Sequence, residues 1–144
     1  MTIHLATDHA GYLHKEAIKT YLEGEGLEVM DHGAFELVED DDYPDFVALA
    51  GIELVKDPDS MAIVFGGSGE GEAMAANRIN GVRATVYYGG PVEILTLSRE
   101  HNASNMLSIG ARFVSIEDSI QAVKVWLKTP FSNEERHVRR LNKF

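Results

Sequence analysis

The chain contains no cysteine among its 144 residues. A disulfide framework, a thiolate metal site and a cysteine nucleophile are therefore all excluded. Cations are scarce too: 13 lysines and arginines stand against 23 acidic residues, a formal net charge of −10. Such a balance argues against nucleic acid or an anionic membrane as partner, because phosphate surfaces demand clustered Lys and Arg. No apolar run approaches the ~20 residues that span a bilayer. The start, MTIHLATDHAG, lacks the basic and apolar regions of a signal peptide, so a cytoplasmic location is expected. The six histidines are scattered, with no HxxxH or HExxH spacing, and no metal site or cofactor is expected.

What the chain does have is an ordinary globular composition, 44% hydrophobic, and a length suited to one domain. Apolar runs at Ile3 to Thr7, Leu27 to Met30, Met61 to Phe65, Ala84 to Tyr88 and Met106 to Ile109 read as five strands. Helical spacing separates them. Leu13, Ala17, Ile18, Tyr21 and Leu22 share one face, as do Phe46, Ala50 and Leu54 in a helix expected from Asp45 to about Lys56. Gly89-Gly90-Pro91 opens a helix to about Arg99, and Ser115 is a natural N-cap for Ile120, Val123 and Leu127. A last helix, capped by Ser132 or Asn133, is expected through Arg140. Strands alternating with helices predict a three-layer α/β/α sandwich around a five-stranded parallel sheet, one Rossmann-like domain over 1–144 with a C-terminal helix from about 132. The segment 36–42, with five acidic residues, reads as an exposed loop without an assigned role.

The most distinctive stretch runs from Val64 to Asn77. Gly66, Gly67, Gly69 and Gly71 connect an apolar strand to a helix, with Ser68 their only hydroxyl and Glu72 in the first helical turn. Such a turn leaves backbone N–H groups unpaired and pointing one way, a site for an anion or a developing oxyanion. It is neither a GxSxG nucleophile elbow nor a dinucleotide fingerprint, which would have to follow the first strand, where Asp8-His9-Ala10-Gly11 stands. Parallel sheets bind ligands beyond the carboxyl ends of their strands. Asp8 and His9 follow the first strand, Ser68 and Glu72 the third and Arg112 the fifth, while His101-Asn102 ends the helix after the fourth. All are expected at one edge of the sheet. Arg136 and Arg140, spaced i, i+4 on one helical face, suggest a phosphate clamp in so acidic a chain.

Taken together, Asp8-His9-Ala10-Gly11, Asp42-Tyr43-Pro44, Gly66 to Gly71, Ala75-Ala76-Asn77-Arg78, Arg99-Glu100-His101-Asn102 and Arg136-His137 resemble the ribose-5-phosphate isomerase B family, which also holds galactose- and allose-6-phosphate isomerases. The resemblance implies a metal-free aldose–ketose isomerisation through a cis-enediol(ate), from ribose 5-phosphate to ribulose 5-phosphate. It also implies a homodimer or homotetramer with the active site at the subunit interface. Asp8 and His9 would contact sugar and phosphate, with Tyr43 and Glu70 also lining the substrate. The backbone of Gly67, Ser68, Gly69 and Gly71 would form the anion hole, aided by the Ser68 hydroxyl. His101 would open the furanose ring while Asn102 holds a hydroxyl, and Arg112, Arg136 and Arg140 would bind phosphate. Many members carry a cysteine base where this chain has Gly66. A second branch instead places a glutamate after the glycine loop, in the pattern found here, which makes Glu72 the base. Two other outcomes stay open: a different phosphosugar substrate, or a sensor that binds without catalysis.

Overall fold

A computed structural model describes residues 1–144. Five parallel strands, β1 (Thr2–Thr7), β2 (Glu28–Asp31), β3 (Met61–Gly66), β4 (Ala84–Tyr87) and β5 (Met106–Gly110), form one sheet in the order β2-β1-β3-β5-β4. Six helices connect and cover them: α1 (Tyr12–Gly24), α2 (Tyr43–Leu54), α3 (Glu70–Ala76), α4 (Glu93–Asn102), α5 (Ile116–Lys128) and α6 (Glu135–Leu141). A short 3-10 turn, His9–Gly11, joins β1 to α1.

Alternation along the central strands sorts the core into two layers. Ile3, Leu5, Ile63, Phe65, Leu107 and Ile109 point to the face covered by α1, α4 and α5, where Ile18, Leu22, Leu95 and Trp126 are fully buried. Ala6, Ala62, Val64 and Met106 point to the other face, against Val47, Ala50 and Leu54 of α2 and Ala76 of α3. Small residues on that second face let α2 and α3 lie close to the sheet. Trp126 satisfies its indole N–H with Ser104 Oγ at 2.9 Å, and truncating so buried an aromatic costs about 3–5 kcal/mol.

Boundaries differ from the sequence reading where local chemistry was misjudged. α2 begins at Tyr43 rather than Asp45, because Pro44 sits in the first helical turn, where its missing N–H costs nothing. α4 starts at Glu93 and runs on to Asn102, with Ala103 ending it in a left-handed conformation. The last helix begins at Glu135, capped neither by Ser132 nor Asn133; Glu134 occupies the N-cap without a side-chain cap bond. The Ser115 cap is as expected, its Oγ accepting from Asp118 N–H at 3.0 Å.

From β1 the chain steps outward to β2, and from β3 it steps to the opposite side. Connections therefore diverge between β1 and β3, and divergence of this kind opens a crevice at the carboxyl ends of the two strands.

Candidate active site

At the end of β1, Asp8 is buried and caps the 3-10 turn, its Oδ1 accepting from Ala10 N–H at 2.9 Å. The Thr7 hydroxyl donates to the Phe65 carbonyl at 3.0 Å and so ties the ends of β1 and β3 together. His9 is held from outside the turn. Its backbone N–H and its ring Nδ1 both bond to Asp41 Oδ1, at 2.8 and 2.7 Å. The hydrogen bond to Asp41 raises the His9 pKa above its ordinary value. Burial and Arg112 oppose the rise, and the charges of Asp8 and Asp41 add to it. Segment 36–42 is thus exposed except at one point, Asp41, which turns inward. Sequence reasoning missed this residue: nothing in a run of five acids distinguishes it.

At the end of β3, Gly66 pairs with Gly110 of β5, and the glycine loop follows. Gly69 adopts the left-handed conformation, φ 82°, and its carbonyl accepts from the buried Ser108 hydroxyl at 2.6 Å. Ser68 Oγ accepts from Glu70 N–H at 3.3 Å. The N–H groups of Gly67, Ser68 and Gly69 donate to nothing within the chain. Three consecutive free donors in a turn that includes a left-handed residue form an anion-binding concavity. Arg112 borders it, its backbone N–H bonding the Gly67 carbonyl at 3.1 Å. A Cβ on Gly67 would lie 3.3 Å from the Arg112 guanidinium, and one on Gly71 only 2.7 Å from the Tyr43 hydroxyl. These glycines admit their neighbours as well as the turn.

Glu72 is 4% exposed, in the first turn of α3. Burial raises its pKa above the ordinary carboxylate value, the nearby Asp8 charge adds to the rise, and its own backbone N–H opposes it. A Cβ on Gly66 would overlap the Glu72 carboxylate, so that carboxylate lies directly over the end of β3. Glu70, half-buried, opens the same helical turn.

His101 and Asn102 do not join this group. α4 leaves the carboxyl end of β4 and returns to the start of β5, so its last turn lies at the opposite edge of the sheet. Five residues of β5, at about 3.3 Å each, separate the two edges by roughly 15 Å. The expectation of a single edge is corrected on this ground. Packing of α6 on α4 carries Arg136 and Arg140 to the same far side. There His101 stacks on the buried His137, ring centroids 4.2 Å apart and planes 11° from parallel. Arg136 pairs with Glu134 at 2.8 Å, whereas Arg140 is exposed without a salt bridge. A concavity of about 810 Å³ also lies at this edge, against Asn77, Arg83, Asn102 and Phe144. The expected site residues of one chain therefore fall into two groups on opposite edges of the sheet.

Asp8, His9 and Asp41 bring their donor atoms within 4.8 Å of one another. Two carboxylate oxygens already have partners: Asp41 Oδ1 is bound to His9 Nδ1, and Asp8 Oδ1 to Ala10 N–H, while Asp41 Oδ2 has none. His9 and Asp41 form a hydrogen-bonded pair, with Asp8 Oδ2 4.0 Å from the ring Nδ1.

Comparison with known proteins places this arrangement among relatives. The family model described as Ribose/Galactose Isomerase matches residues 3–144. Ribose-5-phosphate isomerase B of Mycolicibacterium paratuberculosis is 41% identical over 142 residues, covering 99% of this chain and 88% of the relative. Its Escherichia coli namesake is 33% identical over 134 residues, 93% of this chain and 87% of the other. The crystal structure of ribose-5-phosphate isomerase B from Mycoplasma genitalium with bound ribulose 5-phosphate superimposes with a TM-score of 0.93 at 34% identity. It covers 99% of this chain and 92% of its own.

Proposed function

The chain belongs to the ribose/galactose isomerase family, and on that premise we infer that it interconverts D-ribose 5-phosphate and D-ribulose 5-phosphate, with Glu72 as the base. The observation that carries the role of Glu72 is its buried, pKa-raised carboxylate beside three unpaired backbone donors.

Aldose–ketose exchange needs a base at C2 and donors for the oxygen that becomes negative. In this reading Glu72 removes the C2 proton of the open-chain aldose, and the C1 oxygen takes the charge against the N–H groups of Gly67, Ser68 and Gly69. The Ser68 hydroxyl adds a further donor. The protonated Glu72 then delivers its proton to C1 while the O2 hydroxyl proton passes to O1, which leaves the ketose. A carboxylate with an ordinary pKa would be a weak base here, and burial makes it stronger. Asp8 and Tyr43 hold the sugar, with Glu70 at the crevice edge, and His9 and Arg112 meet the phosphate.

Ring opening is assigned to His101, with Asn102 on a sugar hydroxyl and Arg136 and Arg140 on the phosphate. Because these residues lie a strand length from Glu72, they serve the Glu72 of a second copy. The reading therefore requires a homo-oligomer, at least a dimer, in which each site takes one edge from each chain. No helix is long and apolar enough to cross a membrane, and the enzyme is taken to act in the cytoplasm.

The test is turnover of ribose 5-phosphate by the purified protein and by Glu72→Gln, each with and without EDTA. Turnover that resists EDTA and falls about 10²–10⁴-fold in the variant, with KM little changed, is expected. Near-parental kcat in the variant would remove Glu72 from the mechanism.

A further inference from the structure

Of the five acids in segment 36–42, Asp41 alone is drawn in from the surface. Its Oδ1 accepts two hydrogen bonds from a single residue, the backbone N–H of His9 at 2.8 Å and the ring Nδ1 at 2.7 Å. Its Oδ2 is buried with no partner in the chain. A carboxylate stripped of water on one side, with one polar neighbour, needs its charge compensated by that neighbour. His9 is that neighbour. With Nδ1–H committed to Asp41, Nε2–H is the one ring donor left for a ligand.

The charged groups that face the His9 ring are few. Asp8 Oδ2 lies 4.0 Å from Nδ1, Asp41 at 2.7 Å, and Arg112 acts on the ring from the turn after β5. β3, packed beneath the 3-10 turn, contributes no ionisable side chain. On α1, Lys15 is neutralised by Asp31 at 2.6 Å and Glu16 at 3.0 Å. Asp41 is therefore the closest and best-aligned partner of the ring.

We propose that Asp41 is a positioning residue for phosphosugar binding: by taking both donors of His9 on one oxygen, it fixes the imidazole as a charge-assisted Nε2–H donor aimed at the substrate phosphate beside Arg112. This rests on the reading of His9 as a phosphate contact. The acidic segment thereby gains a function, since it carries the counter-charge that keeps one cation of an acidic protein in place. The raised His9 pKa, caused chiefly by the Asp41 hydrogen bond, agrees.

The experiment compares the parent with Asp41→Asn and His9→Asn across pH. Asn retains the shape and an acceptor oxygen but removes the charge. KM for ribose 5-phosphate and the inhibition constant of inorganic phosphate are followed, with 15N NMR titration of His9 in parent and Asp41→Asn. In Asp41→Asn the His9 titration moves to lower pH. Between the two midpoints KM rises about tenfold with kcat changed less than about threefold, the scale of a lost charge-assisted bond. At lower pH, where His9 is protonated in both proteins, the difference disappears. Glu72 and the substrate phosphate titrate in both proteins, so the ratio isolates His9.

An unchanged His9 midpoint, or a KM ratio flat with pH, overturns the proposal. So does a parent His9 whose Nδ1 carries no proton, a readout that stands even if the variant fails to fold. If His9→Asn leaves both constants unchanged, the underlying reading of His9 has failed. If His9→Asn weakens both while Asp41→Asn behaves as parent, only the role of Asp41 has failed.

Discussion

The carboxylate of Glu72 occupies the volume that a side chain on Gly66 would need. Carboxylate and glycine therefore depend on one volume: the missing Cβ at the end of β3 is what lets the side chain of a residue six positions later lie over the strand end. Any side chain on Gly66 must push the carboxylate aside.

Gly66→Ala should accordingly separate activity from stability. The atoms in the way are the far end of a flexible side chain, so the protein can accommodate the methyl at small cost. Turnover should fall about 100-fold, since a misplacement near 1 Å has that effect, while the melting temperature shifts by only a few degrees. Steady-state kinetics beside thermal unfolding checks this; parental kcat in Gly66→Ala would place the base elsewhere.

The raised pKa of Glu72 makes two statements about pH. With Glu72 as the base, the acidic limb of kcat/KM should lie above the ordinary carboxylate range, since a general base acts in its ionised form. For stability, the native state holds the Glu72 proton more tightly than the unfolded chain does. Its contribution therefore weakens as pH rises from the unfolded pKa through the higher folded value. Glu72→Gln should then be more stable than the parent at neutral pH, and the advantage should shrink as pH falls through that window. Urea unfolding at several pH values measures it, and a less stable variant at neutral pH would contradict it.

Lys15 should behave as a structural ion. It is fully buried, with Nζ 2.7 and 2.6 Å from the two oxygens of Asp31. Burial would raise the Asp31 pKa, but Lys15, the Gly33 N–H and Lys19 outweigh it and hold it low. Lys15→Met should cost about 3 kcal/mol, the order seen when one partner of a buried pair is removed. The parent pair should persist until pH falls through the lowered Asp31 pKa. Denaturant unfolding gives the difference, and a loss below about 1 kcal/mol would mean that Lys19, 3.1 Å from Asp31, suffices.

Complementation tests the shared site. Glu72→Gln damages one edge and His101→Asn the other. If each active centre takes one edge from each of two chains, a dimer of the two variants holds one intact site and one doubly damaged site. Random mixing after dissociation should then restore roughly a quarter of parental activity. Activity no higher than the average of the two variants alone would mean that each chain works by itself.

Much of this was written locally. Strand and helix order, the glycine turn after β3 and the Ser115 cap depend on spacing and turn chemistry within a few residues, and the chain displays them openly. Glu72 was recognisable because its place in the first turn of α3 is a matter of sequence distance from the glycines. The edge on which His101 and the arginines lie was not recognisable in this way. It depends on α4 running back against the strands and α6 packing on α4, contacts set by tertiary assembly. Asp41 was hidden for a related reason: which acid of a flexible-looking run meets His9 is decided across 32 positions of chain. The direction of the Glu72 pKa belonged to the structure as well. A helix start lowers a carboxylate and burial raises it, and only the folded packing around Gly66 makes burial the larger effect.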